Sequence, residues 1–117
     1  MIELPNGHTI DTQHQLVWGP THKKLNWYKT MDLQKDGWLV PTKKQLEQTY
    51  EDKVPGFEKT WFWSSSSHVG NPEDAWYVNF YSGYVHSDYK DFDSAVRCVR
   101  PIGNWIFEEL GLKRIPL

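Results

Sequence analysis

Residues Trp76 to His86 read Trp-Tyr-Val-Asn-Phe-Tyr-Ser-Gly-Tyr-Val-His, a stretch in which apolar side chains alternate with tyrosine or polar ones. Two strand-like segments flank the dipeptide Ser82-Gly83, and glycine accepts the positive φ that a tight hairpin turn requires. Pairing the segments across that dipeptide gives three facing pairs: Tyr81 with Tyr84, Phe80 with Val85, and Asn79 with His86. The sequence therefore predicts a β-hairpin within an antiparallel sheet.

The predicted hairpin has two unlike faces, because side chains alternate along a strand. The apolar face is expected to pack on a core and carries Trp76, Val78, Phe80, Val85, Ser87 and Tyr89. The other face carries Tyr77, Asn79, Tyr81, Tyr84, His86 and Asp88. Tyrosine offers a large contact area with few torsions to immobilise, so this second face is predicted to be a recognition surface. The alternative is that a loop or the C-terminal helix covers it.

The composition bounds the class of protein. The chain has 117 residues, a formal net charge of −2 and an aromatic content of 15%, which indicate one domain with a core built on large rings. The near-balanced charge argues against a nucleic-acid partner. Cys98 is the single cysteine, which excludes an internal disulfide and a four-thiolate zinc site. The first residues resemble neither a signal peptide nor a membrane span, so we expect a cytoplasmic protein, in a host cytosol or a virion, with no membrane partner.

Further elements are predicted on both sides of the hairpin. Thr42 and Gln45 have the spacing of a capping box and predict a helix that ends near Tyr50. Thr21 is predicted to cap a helix over residues 23–34. Short strands are predicted at residues 38–40, 61–63 and 95–99, a polar loop at 64–74, and a short C-terminal helix at 105–110.

Five segments in this order resemble one known family. They are Asp11 with Leu16-Val17-Trp18, Gly37 to Thr42 with Leu46, Phe62 to Ser65, Ala75 to Phe80 with Gly83, and Arg97 to Arg100. Over roughly residues 9–100 the chain resembles the Lcl C-terminal domain family of bacteria and phages. It departs from the usual pattern at Leu39, where the family has Arg, and at Gln45, where it often has Glu.

The resemblance implies an α+β fold that is C-type-lectin-like and similar to that of formylglycine-generating enzymes. In such a fold two helices flank a small twisted antiparallel sheet with long loops at one end. Residues 1–101 would form this domain, and residues 102–117 would be an extension that packs on it or forms an interface for a homo-oligomer. Family members act mostly as binding modules; some resemble adhesins for sulfated glycans, and related phage domains carry receptor-binding surfaces.

Other chemistry receives less support from the sequence. Asn71, Glu73 and Asp74 offer oxygen atoms, but a solvated loop explains them better than a metal site, so we expect no metal and no cofactor. Formylglycine chemistry needs two thiols, whereas Cys98 stands alone in a predicted strand and is expected to be buried. A small hydrolase that uses residues 64–67, His68 or His86, and Asp88 lacks any positioning motif.

The sequence thus predicts a non-enzymatic binding module for a protein partner, which is phage-encoded as a host-factor inhibitor or as a tail or receptor-binding part. The predicted recognition surface is the face from Tyr77 to Asp88, with Ser66 and His68 of the polar loop at its rim. The alternatives are a glycan-binding, lectin-like domain of an adhesin and, less favoured, the small hydrolase. Lysine pairs at residues 23–24 and 43–44, with the basic pair at 113–114, would bind a sulfated glycan if they converge.

Overall fold

A computed structural model describes residues 1–113 and shows an α+β fold with two sheets and three short helices. In chain order the elements are β1 (Ile2–Glu3), β2 (Thr9–Asp11), β3 (Leu16–Trp18), β4 (His22–Leu25), α1 (Trp27–Met31), α2 (Lys43–Glu51), β5 (Trp61–Ser67), β6 (Asp74–Asn79), β7 (Val85–Tyr89), β8 (Ser94–Val96), β9 (Val99–Pro101) and α3 (Trp105–Glu109). The smaller sheet has the order β1-β2-β3-β9, and the larger has the order β4-β8-β5-β6-β7.

The larger sheet is mixed rather than purely antiparallel as expected. β5 and β8 run parallel, with Phe62 opposite Ala95, while the other three pairs of this sheet are antiparallel. The parallel pair arises because the chain crosses from the end of β7 back to the starting end of β5 before β8 begins. Residues 90–93 make this crossing, so they lie over one face of the sheet.

The predicted hairpin forms, but its register is wrong by two residues. β6 and β7 pair Tyr77 with His86 and Val78 with Val85, and the loop contains four residues, 80–83, rather than two. The cause is Asn79, whose side-chain oxygen accepts hydrogen bonds from the backbone N–H groups of Tyr81 (2.7 Å) and Ser82 (3.2 Å). This Asx-type turn holds the wider loop. A shift of two residues preserves the period-two alternation, so the assignment of side chains to faces is unchanged.

The helices α1 and α2 flank the larger sheet on opposite faces. Leu46 of α2 joins the buried side chains of Phe62 and Val78 in the main core, where Phe80 and Val85 also pack. Trp63, next to Phe62, points to the other face, where its Nε1 donates to the backbone oxygen of Leu25 (3.0 Å) just before α1. A second small cluster of Val40, Val96 and Cys98, with Leu25 and Met31 beside it, lies on the α1 side.

Two of the three helix predictions are confirmed, α2 and the C-terminal α3, and one is wrong. α2 begins with the predicted capping box: the Thr42 hydroxyl accepts from the Gln45 N–H (3.1 Å), and the Gln45 side chain accepts from the Thr42 N–H (2.9 Å). The predicted helix over residues 23–34 is instead β4 followed by the five-residue α1, which Asn26 caps by accepting from the N–H of Lys29. Residues 22–25 are recruited as a strand because they pair with β8.

The predicted strand over residues 95–99 is split between the two sheets at Arg97. This side chain is 1% exposed and donates to the backbone oxygens of Gly19 (2.7 Å), Gly56 (2.9 Å) and Gly7 (3.1 Å). Its guanidinium group also lies over the ring of Phe57, 4.6 Å from the ring centroid. Arg97 therefore joins the N-terminal turn, the end of β3 and the loop before β5.

Two further local predictions differ from the structure. Residues 38–40 form a single bridge, Leu39 to Val99, rather than a strand, and Leu39 is exposed. Ser64 to Ser67 continue β5 instead of starting the polar loop. In the C-terminal extension, Trp105 packs edge-on against Trp38 with ring centroids 5.4 Å apart. Residues 114–117 lie outside the described residues, and with them one member of the basic pair 113–114.

A histidine ties the turn after β2 to the end of α2. His14 Nδ1 lies 2.5 Å from Asp11 Oδ2, and its Nε2 lies 2.6 Å from Asp52 Oδ2. Burial alone would lower the pKa of His14, but the hydrogen bonds and charges of the two carboxylates outweigh burial and raise the pKa above its usual value.

Candidate functional site

A groove opens on the face of the larger sheet that carries α1, in the part of that face between α1 and β7. It is lined by Lys23, Lys24, Thr60, Trp61, Tyr77, Asp88, Asp91, Phe92, Asp93, Ser94 and Ala95 and has a volume of about 540 Å³. The strands form its floor and the crossing segment 90–93 forms one wall. Its position follows from the fold, because α1 is too short to cover the whole sheet.

The floor of the groove is a stack of aromatic rings. Tyr77 lies between two tryptophans of β5, with ring centroids 4.2 Å from Trp61 and 5.1 Å from Trp63 and interplanar angles of 22° and 27°. Alternation in β5 directs both tryptophans to the same side of the sheet. Trp63 is fully buried and anchors the stack, whereas Trp61 and Tyr77 are half-buried and present ring surface to the groove.

A carboxylate orients the central ring. The Tyr77 hydroxyl donates to Asp88 Oδ2 at 2.8 Å. Burial first, and then the hydrogen bond and charge of Asp88, raise the pKa of Tyr77 to about 12, so the phenol stays protonated and donating at neutral pH. His86, directly opposite Tyr77 in the ladder, meets the edge of Trp61 at 5.6 Å and is exposed.

The charges around the groove are of both signs. Lys23 and Lys24 of β4, Asp88 of β7, and Asp91 and Asp93 of the crossing segment all line it. Phe92, between those two aspartates, is 52% exposed. Such a surface can stack against flat or apolar groups at its centre and can pair with charges of either sign at its margins.

The structure brings together half of the predicted recognition residues. Tyr77, His86 and Asp88 meet in or beside the groove. Tyr84, which is 66% exposed, extends this surface, and its ring centroid lies 6.1 Å from that of His86. Tyr81 is exposed on the hairpin loop near Lys59 rather than at the groove. Asn79 has its side-chain oxygen occupied by the loop backbone.

Ser66 and His68, the predicted rim, lie on the opposite side of the sheet. His68 stacks on Trp76 at 4.8 Å, and Trp76 points away from Tyr77 because the two are neighbours in β6. Lys43 covers the same indole at 4.5 Å, and its backbone N–H donates to the Ser66 hydroxyl. The expectation that Trp76 is a core residue is therefore wrong: this ring is half-buried between a histidine and a lysine.

The remaining side chains that could carry chemistry have structural partners. The Ser64 hydroxyl is buried and donates to the Trp76 backbone oxygen, and within residues 1–113 no hydrogen bond joins residues 64–67 to the ring of His68 or His86. Burial raises the pKa of the Cys98 thiol to about 11, which keeps it protonated at neutral pH. In the same range no three His, Cys, Asp or Glu side chains are grouped to hold a metal ion.

Sequence reasoning missed the groove's far side. Lys23 and Lys24 lie in the helix predicted over residues 23–34, and residues 91–93 reach the groove only because the parallel β5–β8 pairing carries the chain across the sheet. Trp61 could have been placed from the sequence. Residues 61–63 are predicted as a strand, and alternation along a strand puts Trp61 on the same face as Trp63.

Comparison with known families decides the affiliation. The model of the Lcl C-terminal domain matches residues 7–100. The chain belongs to this family. The matched residues of the Lcl C-terminal domain contain every strand of the larger sheet and the whole groove, whereas α3 lies beyond the match. A search of the curated proteins gives no significant match. Within residues 1–113, no helix has the length and apolar character needed to cross a membrane.

Proposed function

We propose that this Lcl C-terminal domain is a non-enzymatic binding module that recognises a protein partner through the groove. The observation that carries the proposal is the ring stack of Trp61 on Tyr77, left half-open on a charged surface. Aromatic rings that remain exposed and rigidly held are the residues that dominate protein interfaces. Trp63 and Asp88 hold these rings in place before any partner arrives, which lowers the entropy cost of binding.

The charges favour a protein over a polyanion. Three carboxylates surround the stack against two lysines, and this balance opposes a nucleic acid or a sulfated chain. The lysine pairs at 23–24 and 43–44 do not converge, since Lys43 lies over Trp76 on the other face of the sheet. A protein surface can supply both signs of charge together with an apolar group for the stack.

A neutral glycan is the second candidate, because a sugar ring can lie flat on Trp61 while Asp88 and Lys24 hydrogen-bond its hydroxyl groups. The family resemblance supports a glycan ligand as well as a protein partner. We infer from the same resemblance a C-type-lectin-like architecture and a phage-encoded role as a host-factor inhibitor or a tail or receptor-binding part. The contact of both α1 and α2 with β5 is compatible with two helices that flank a sheet.

Paired variants test the proposal. The chain is used to capture proteins from bacterial lysates and to probe a glycan array. It is compared with the groove variants Tyr84→Ala and His86→Ala, which alter exposed residues beside the groove, and with His68→Ala, which alters the opposite face. We expect a protein that is retained by wild type and His68→Ala and lost with both groove variants, while the three melting temperatures stay close together. Capture that depends on His68 but not on the groove variants contradicts the proposal, and array binding without a protein partner favours the glycan.

A further inference from the structure

The outer edge of β7 is a row of backbone groups without a strand partner. β7 is last in the order of the larger sheet, and an antiparallel ladder directs the backbone groups of alternate residues away from the neighbouring strand. Bonds from Asn79 N to Tyr84 O and from Lys90 N to Glu73 O, both 2.9 Å, bracket the β6–β7 ladder. Even-numbered residues therefore bond to β6, and the residues whose N–H and C=O groups face outward are Val85, Ser87 and Tyr89.

The other sheet edges carry stronger obstacles to pairing than β7, whose charged residue is Asp88. The β4 edge has a register irregularity and two exposed lysines, β1 has only two residues, and β9 ends in Pro101. Charges, short length, irregularity and proline are the usual protections of an edge strand. The segment Val85–Tyr89 contains neither lysine nor proline, and Lys90 turns inward to donate to the Pro72 backbone oxygen at 2.7 Å.

We propose that a second copy of this chain pairs with β7 in antiparallel fashion, about a two-fold axis through Ser87. In this register Ser87 and the second copy's Ser87 exchange both of their backbone hydrogen bonds. The Val85 N–H of each copy also meets the Tyr89 C=O of the other. The Tyr89 N–H, which already bonds to Asp88 Oδ1 at 2.8 Å, is not used, whereas the Tyr89 C=O would accept from the second copy in addition to the Phe92 N–H that it already accepts at 3.0 Å.

The side chains of β7 are self-complementary in the same register. His86 stands opposite the second copy's Asp88 on the groove face, and Val85 stands opposite the second copy's Tyr89 on the α2 face. Hydrogen-bonding side chains and apolar pairs at facing positions stabilise an antiparallel ladder. Placing the axis at Ser87 thus matches backbone hydrogen bonds, polar side chains and apolar surface at once, which is what an isologous interface requires.

The resulting dimer has one continuous sheet of ten strands. Because the axis is perpendicular to the sheet, both grooves open on the same side and both α2 helices lie on the other. His86 and Asp88 belong to both surfaces, but self-association is measured with no groove partner present, so failure of this inference and failure of the proposed function can be told apart.

The test is the molecular mass in solution over a range of concentrations, measured by sedimentation equilibrium. We expect a dimer whose dissociation constant rises at least about tenfold in Ser87→Pro, because proline removes the central donor of each copy. The Ser87 N–H faces away from β6, so the hairpin ladder keeps its bonds and the melting temperature should stay near that of wild type.

Two further variants keep the test decisive if proline disturbs folding. His86→Asp sets like charges opposite Asp88 and should weaken the dimer, and the charge swap His86→Asp with Asp88→His should restore it. Ser87→Cys should cross-link with a short bismaleimide, whereas Ser82→Cys on the exposed loop should not; buried Cys98 does not compete. A wild-type chain that is monomeric at every concentration, or a dimer unaffected by Ser87→Pro and His86→Asp, overturns the proposal.

Discussion

Replacing Arg97 with methionine tests the packing that holds the two sheets together. The change keeps a long side chain but removes every donor that serves the backbone oxygens of Gly7, Gly19 and Gly56. Those oxygens are then left without their partner at a site where the arginine side chain is 1% exposed. We expect this to be the most costly single change among the charged residues.

The magnitude follows from the number of bonds and the cost of burying the charge. A hydrogen bond to a charged group contributes about 1.5–3 kcal/mol, and Arg97 makes five, which include weaker ones to Thr9 (3.2 Å) and the Trp18 oxygen (3.4 Å). Burial opposes this gain and lowers the pKa of Arg97 to about 10. We therefore expect a net loss of about 3–5 kcal/mol, similar to that for removing one partner of a buried ionic contact.

Urea denaturation measures this loss, and a second arginine supplies the control. With a slope of about 2 kcal/mol/M, Arg97→Met should lower the urea midpoint by roughly 1.5–2.5 M. Arg100 lies three residues further along and is part-exposed beside Glu109 and Trp105, so Arg100→Met should cost about 1 kcal/mol or less. If the two variants lose the same free energy of unfolding, the assignment of Arg97 as the central contact is wrong.

Three further outcomes are expected. The pKa of His14 is raised in the native state, so its contribution to stability is fully present below the unfolded value of about 6.5 and is lost as pH rises through the native pKa. The difference in urea midpoint between wild type and His14→Gln should accordingly shrink as the pH rises above about 6.5; a difference that grows refutes the ion contacts. Cys98 should resist iodoacetamide at pH 8 in the native protein and react at once in urea, because burial keeps its thiol protonated; equal rates would mean that the thiol is exposed. Trp76→Ala should cost clearly less than Phe62→Ala, for which about 3–5 kcal/mol is expected, and equal losses would return Trp76 to the core.

Local chemistry made some elements predictable from the sequence. The capping box at Thr42 and Gln45 specifies α2 within four residues, and period-two alternation assigns the residues of β6 and β7 to the correct faces. The predicted hairpin register is wrong because Gly83 predicts a two-residue turn, whereas the side chain of Asn79 stabilises a four-residue loop. Asn79 lies four positions before Gly83, so the residue that sets the loop length can be recognised from the local sequence.

The groove was only half predictable, for a topological reason. Tyr77, His86 and Asp88 lie on one hairpin, so a strand pattern can place them together. Lys23 and residues 91–93 reach the same place only through the parallel pairing of β5 with β8, which no local spacing encodes. Ser66 and His68 were misplaced because β5 runs on through the serines and its continuation carries them to the α2 side of the sheet.

The most direct test of the central claim uses two indole groups as reporters on opposite faces of the same sheet. In ¹H–¹⁵N spectra of the labelled chain, the side-chain signals of Trp61 and Trp76 are followed while the captured partner is added. Binding in the groove predicts that the Trp61 indole signal shifts or broadens while that of Trp76 stays in place. A response at Trp76 with Trp61 unchanged would show that the partner meets the other face of the sheet and would contradict the proposed site.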